Sequence, residues 1–373
     1  MILCRRAALA ALFLSVTPML FAQTFQGFVA TGMHPQAIAV NAFTDRIYTI
    51  NEPDNSVTEF DGVTNTATTT FLGLNPQMSL NGELAINPFT NTIYAIDAAN
   101  PFLAVIDGAT NNFTLVTTGA GPYAIAVNPY TNKIYVANFT DNSVTVVDGA
   151  TLGTTTVKVG VEPSALGIDF KANKIYVANN QSNTVTVING ITNTTKTVAV
   201  GTYPSVIAVN PVTQFVYVGN LLSNNVTAIN GKNNSTQTIP VNTYPAAIGV
   251  NSLTNKIYVA EIAANSVAVI DGKSNSFVNI PAGPAERVVV DELRNQIYIL
   301  NAGDTADVID GKTNVATLFY TNGQGANSMA LDLLTNKIYV GNLSSNNVSV
   351  LNSPAGVPLP LFQELTLAPN NGK

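Results

Sequence analysis

The chain has no tryptophan, one cysteine and one histidine among its 373 residues, and only 10% of it is charged. Each shortage removes a class of function. Cys4 lies ahead of the first hydrophobic stretch, so a mature chain that begins after that stretch has neither a disulfide nor thiol chemistry. With His34 alone, no metal centre or catalytic set can rest on several imidazoles. The phosphate-cradling P-loop, a G-x-G-x-x-G turn ahead of a helix, and a Ser-His-Asp set with a nucleophile elbow are all missing. The net charge is −6 and no basic stripe offsets it, which argues against nucleic acid and anionic lipid as partners. Beyond residue 22 no apolar run is long enough to cross a membrane. The sequence calls for no cofactor and no metal.

Asn, Thr and Ser stand where charges would, and 46% of the chain is hydrophobic, enough for a sizeable core. At the N-terminus, Arg5 and Arg6 precede the apolar stretch Ala7–Val16, and Leu-Phe-Ala ends at Ala22. This is the layout of a secretory signal peptide over 1–22, so the expected location is the periplasm or the cell surface. Loss of the two arginines takes the net charge to −8. Residues 23–355 are read as the folded domain and 356–373 as a tail or linker, its Asn-Asn-Gly-Lys end compatible with a longer chain cut there.

An Ile/Val-Tyr pair recurs along the whole of the chain, at Tyr48, Tyr94, Tyr135, Tyr176, Tyr217, Tyr258, Tyr298 and Tyr339. The gaps are 46, 41, 41, 41, 41, 40 and 41 residues, and a fixed period of this length marks a repeat architecture. In one period, YAIAVN, KIYVAN, SVTVVDG and TTTVKVG read as four short strands joined by Asn/Pro turns and a strong Asp-Gly hairpin signal. Four strands per period of about 40 residues is the pattern of a β-propeller blade. The first strand is apolar on both faces, as a sheet sandwiched between two neighbours must be. The expectation is an all-β single propeller of eight blades, with seven the alternative if one terminal set stays outside the ring. Thr24–Thr31 is the spare fourth strand, placed to pair with Asn347–Asn352 and close the ring.

Three motifs carry a resemblance: P-x-A-I-A-V-N-P as at 122–129, T-N-K-I-Y-V-A-N as at 131–138, and N-S-V-T-V-[IV]-D-G-x-T as at 142–151. The repeat resembles the YVTN-type β-propeller family of surface-layer-type and YncE-like exported proteins, over about 24–352. WD40 repeats do not fit a chain without tryptophan, and kelch repeats are longer. The resemblance implies an exported propeller at the envelope and transfers no shared catalytic residues. Related lyase-like and lactonase-like propellers are enzymes, whose catalytic residues find no counterpart here.

Eight internal copies separate scaffold from function: function is expected where the copies diverge. The turns NPxTNK and DGxTN are monotonous and share one face. On the other face the residue before the loop proline varies, with His34, Asn75, Gly121, Glu162, Tyr203, Tyr244 and Gly283 in blades one to seven. Phe139, Tyr203, Leu221, Leu222, Tyr244 and Ile262 gather at loop positions of blades three to six, the expected contact patch for an envelope or extracellular protein or glycan. Glu261 is read as another loop residue of that face. Charge intrudes in two inner-strand slots where Ala37 is typical: Glu83 and Arg287, with Glu286 beside the latter. These three form the expected polar group of the central channel, under an insertion around Pro76–Gly82. Asp304, Asp307 and Asp310 lack calcium-loop spacing and read as structural. A non-enzymatic binding module is the leading expectation; a channel enzyme and a structural surface-layer unit are the alternatives.

Overall fold

The computed structural model describes residues 23–52, 54–72 and 83–353. Residues 1–22, read above as a signal peptide, Asn75, the Pro76–Gly82 insertion and the expected tail 356–373 lie outside the described residues. The described residues form eight four-stranded antiparallel sheets and no helix. In blade one the strands run outward as Pro35–Asn41, Arg46–Asn51, Ser56–Asp61 and Ala67–Phe71, each next to its successor in sequence. The inner strands stand side by side around one axis, and the last, Ala326–Asp332, packs against the first, Pro35–Asn41. The ring therefore has eight blades.

Blade eight takes its outer strand from the other end of the chain. Thr24–Ala30 pairs antiparallel with Asn347–Asn352, from Thr24 opposite Asn352 to Ala30 opposite Asn347. Gln26 is an extra residue in this ladder, and Gly27 beside it has φ 147°, a conformation open to glycine and hardly to others.

The repeated Ile-Tyr-Val has a packing reason. Side chains alternate across a strand, so Tyr points to one neighbouring blade and the flanking Ile and Val to the other. Tyr94 and Ile96 of blade two pack with Ile134 and Val136 of blade three, and Tyr135 packs with Ile175 and Val177 of blade four. All eight tyrosines are fully buried. The core is thus a set of inter-blade layers, and each second strand fits both neighbours only if it keeps this pattern.

An amide belt joins the blades on the turn face. The Asn that ends an inner strand donates its Nδ2 to the Oδ1 of the turn Asn in the next blade, as from Asn41 to Asn91, Asn87 to Asn132, Asn128 to Asn173, Asn210 to Asn255 and Asn251 to Asn295, at 2.7–3.1 Å. At the closure between blades eight and one the two positions hold Asp332 and Asp45 instead, and the two carboxyls face each other. The core of the seam is apolar, with Phe60 and Tyr339 edge to face at 5.6 Å, and Lys337 Nζ donates across it to the Gly62 carbonyl.

Candidate functional site

Seven inner strands share a bulge directly after their first residue, where the register slips. A bulge re-aims one side chain. Here the extra residues are Gln36, Tyr123, Ser164, Ser205, Ala246, Glu286 and Asn327, and all but Glu286 line one axial cavity of about 770 Å³. All eight blades reach this cavity, with inner-strand residues such as Ala37, Ala165, Val206, Ala247, Arg287 and Ser328 and, in blade two, with Glu83 directly ahead of the inner strand Leu84–Asn87. A smaller depression of about 200 Å³ among Lys174, Lys196 and Lys232 involves only two blades. The axial cavity is the one the ring itself builds.

Most of its polar wall is amide and hydroxyl. Asn327 Nδ2 donates to the Gln36 carbonyl (2.9 Å), and Gln36 Nε2 donates to Glu52 Oε2 (2.8 Å). Ser164 donates to Asn180 Oδ1. Charge enters at two points. Glu83 Oε2 accepts the Ile125 N–H at 3.1 Å. Glu83 keeps surface open to the channel, but protein surrounds it on nearly every side, and this crowding raises the carboxyl above the ordinary glutamate value against the lowering effects of the Ile125 N–H and the Arg287 charge. Arg287, exposed to the channel, makes no ion pair among the described residues. Glu286 is half-buried and off the cavity wall, so of the three channel charges only Glu83 and Arg287 share the cavity.

The rim residues divide. Phe139 packs against Tyr123, ring centroids 5.4 Å apart and tilted by 37°, and Tyr123 is 53% exposed beside the cavity. Leu221 lines the cavity, its N–H bonded to the Tyr203 carbonyl at 2.9 Å. Tyr203, Leu222, Tyr244 and Ile262 stay off the cavity wall; Leu222 and Tyr244 are exposed, Tyr203 and Ile262 half-buried. His34, Glu162, Tyr203 and Tyr244 occupy one equivalent slot in left-handed backbone, φ 48–59°. An Asn side chain of the preceding loop holds each of their N–H groups, as Asn183 does for Tyr203 at 2.9 Å and Asn224 for Tyr244 at 3.1 Å. Gly121 and Gly325 serve the same slot in other blades. A bulky residue there costs about 1 kcal/mol that glycine avoids, so the scaffold does not need the tyrosines.

Two sequence readings are corrected. In blade seven the inner strand starts at Ala285, so Pro284 and not Gly283 precedes it; the loop is one residue shorter, which is the 40-residue gap in the tyrosine series. Glu261 is not a loop residue: it ends the second strand of blade six, fully buried, accepting from Asn242 N (2.6 Å), Asn242 Nδ2 (3.1 Å) and Ser266 Oγ (2.5 Å). The bulge row escaped the reading of the repeats, although its variability was visible one residue after the proline rather than before it. The three aspartates are engaged apart: Asp304 accepts from Ala326 N, Asp307 from Gly283 N and Asn301 Nδ2, and Asp310 from Lys312 N and Thr313 N.

No family profile and no curated protein matches the chain. Among solved structures it is similar to hydrazine synthase of Kuenenia stuttgartiensis, with a TM-score of 0.57 and 19% identity over 70% of this chain and 92% of that one. At that identity the likeness is one of fold: what the two chains share is the β-propeller.

Proposed function

We propose that this chain is an exported propeller of the YVTN type that binds a carbohydrate at the cell envelope through its variable face, without catalysing a reaction on it. One observation carries the reading: a cavity whose polar wall is mostly amide and hydroxyl, set among small apolar side chains, opens beside the tilted Tyr123–Phe139 pair. A sugar presents hydroxyls along its edge and C–H groups on its faces, which suit such a wall and such a platform. Arg287, free of an ion pair among the described residues, favours a sugar bearing a carboxylate. The basic and apolar start of the chain and its repeat motifs support export and the family reading. A glycan array followed by calorimetry on residues 23–373 tests this. Tyr123→Ala should weaken binding about tenfold, the loss of one good aromatic contact, and Arg287→Gln should erase the preference for acidic sugars. Failure of every glycan to bind, or binding indifferent to Tyr123→Ala, defeats the proposal.

A second reading has its own support in the raised carboxyl of Glu83 and the cation of Arg287 in the same cavity. A proton acceptor and an anion stabiliser placed this way suit a lyase or lactonase. Turnover of an acidic glycan or a lactone that vanishes in Glu83→Gln would establish it; unchanged turnover would remove the site.

A further inference from the structure

The turn face carries a pattern that repetition concealed. In blades one to three the tips of the inner turns are Phe43, Phe89 and Tyr130, and Phe170 of blade four joins them in an unbroken row of rings, with centroids 5.7, 5.6 and 5.9 Å apart. Blades five to eight place Val212, Leu253, Leu293 and Leu334 at the same tips. All eight side chains are solvent-exposed, between 42% and 72%. Their presentation is rigid. The Asn or Asp that ends the inner strand accepts the N–H of the tip residue, as Asn41 does for Phe43, Asn128 for Tyr130, Asn251 for Leu253 and Asp332 for Leu334, at 2.8–3.2 Å. An apolar crown thus circles the axis on the face away from the cavity rim. Weighted by exposure, it offers roughly 900 Å², more than the largest apolar patch of an ordinary monomer at about 300–600 Å².

We infer that the crown is a self-association surface: two copies stack turn face to turn face about a two-fold axis, with Lys171 of each copy against Glu292 of the other. Two observations select a second copy as the occupant. Stacked crowns would remove on the order of 1,800 Å² from water, the size of a stable specific interface. At the two residues directly after each inner strand, charge is limited to exposed Lys171 in blade four and half-buried Glu292 in blade seven, whose Oε2 also accepts from Ser252 Oγ at 2.6 Å; deeper in the blade-seven turn, the Arg294 charge is taken up by buried Asp291 at 2.9 Å. In a face-to-face pair the blade order of one ring runs against that of the other. The register that sets blade four on blade seven also sets blade seven on blade four, blade three on eight, five on six and one on two. Both ion pairs then form at once, Phe43 meets Phe89, and every remaining tip meets an apolar tip. The cavity rims point outward at the two ends, so the pair would present two binding faces.

Sedimentation velocity of residues 23–373 across the micromolar range tests the inference. The wild type should form a dimer. Phe89→Ser with Tyr130→Ser should leave a monomer of unchanged melting temperature. Lys171→Glu and Glu292→Lys should each weaken the dimer about tenfold or more, and the two together should restore it. A wild type that stays monomeric, a dimer indifferent to the serine substitutions, or charge reversal that the double variant does not rescue overturns the proposal. So does a monomer whose crown residues instead bind phosphatidylcholine vesicles.

Discussion

Replacing Asp332 by Asn should stabilise this protein at neutral pH and leave its stability unchanged in acid. At five of the other joints an amide nitrogen faces an amide oxygen, whereas at the closure Asp332 Oδ2 and Asp45 Oδ1 are both buried and find no donor as long as both groups are ionised. Asp332 Oδ1 is already engaged by the N–H groups of Leu334 (2.8 Å) and Thr335 (3.3 Å). A proton held between the two carboxyls resolves the conflict. Burial, then the hydrogen bond and charge of Asp332, push Asp45 from the ordinary 3.8 up to about 6, with Lys337 opposing and Asp61 adding a little. Because the folded pKa lies above the unfolded one, the stabilisation is complete below about pH 4 and is lost as the pH rises through about 6. A rise of about two units corresponds to at most about 3 kcal/mol; Asp45 is only partly buried, and solvent screening brings this to about 1.5 kcal/mol. In Asp332→Asn the new amide nitrogen would donate to Asp45 Oδ1, as Asn41 donates to Asn91, and no proton is needed. Urea denaturation of both proteins from pH 4 to 8 should give equal stabilities at the acid end. By pH 7.5 a gap of about 1.5 kcal/mol should favour the variant, or about 2 °C in melting temperature for a ring of this size. Asp61, Asp107, Asp148 and Asp271, held below the ordinary value by turn N–H groups and, at Asp271, first by Lys256, weaken both proteins alike in acid and cancel in the difference. Parallel pH profiles would refute the shared proton.

Further outcomes follow at Tyr135, Tyr298 and Glu261. The Tyr135 hydroxyl, pushed up to about 12 by burial, has no hydrogen-bond partner among the described residues, so Tyr135→Phe should change stability by less than about 0.5 kcal/mol while Tyr135→Ala should cost about 3–5 kcal/mol in a denaturant titration. The Tyr298 hydroxyl bonds Gln296 and Ser353, and Tyr298→Phe should cost about 1 kcal/mol in the same assay. Glu261→Leu strands the Asn242 N–H and the Ser266 hydroxyl and should cost about 2–4 kcal/mol. Glu261→Asn together with Asn242→Gly rebuilds the arrangement of six other blades, where a Cβ on the glycine would meet the strand-end Asn within 3 Å, as Gly119 meets Asn138, and thermal melting should find it near wild type.

The fold was legible because one period contains a whole blade and the blade dictates its neighbours. KIYVAN states by itself that both faces of its strand are covered, and TFQGFVAT with no partner nearby in sequence implies a ring closed by its ends. The Ile/Val-Tyr series counted eight strand sets, and the spare strand at the N-terminus favoured eight blades over seven. The candidate site was legible only in part, since a row of repeats shows which positions vary and not where a bulge aims them. Glu83 and Arg287 were visible as charges in alanine slots, but their shared cavity depends on blades two and seven both facing the axis. Phe139 stood out as a loop aromatic, while its partner Tyr123 lay inside a strand motif and passed as core. Glu261 looked like a loop acid until the fold buried it under Asn242. The turn face hid its crown for the opposite reason: Phe43, Phe89, Tyr130 and Leu253 each sit in a turn that repetition marks as scaffold, and only closure of the ring sets them in one circle. Local pattern is written residue by residue in this chain. What faces the axis, the rim or another molecule is decided by rotation about the ring, which no single repeat contains.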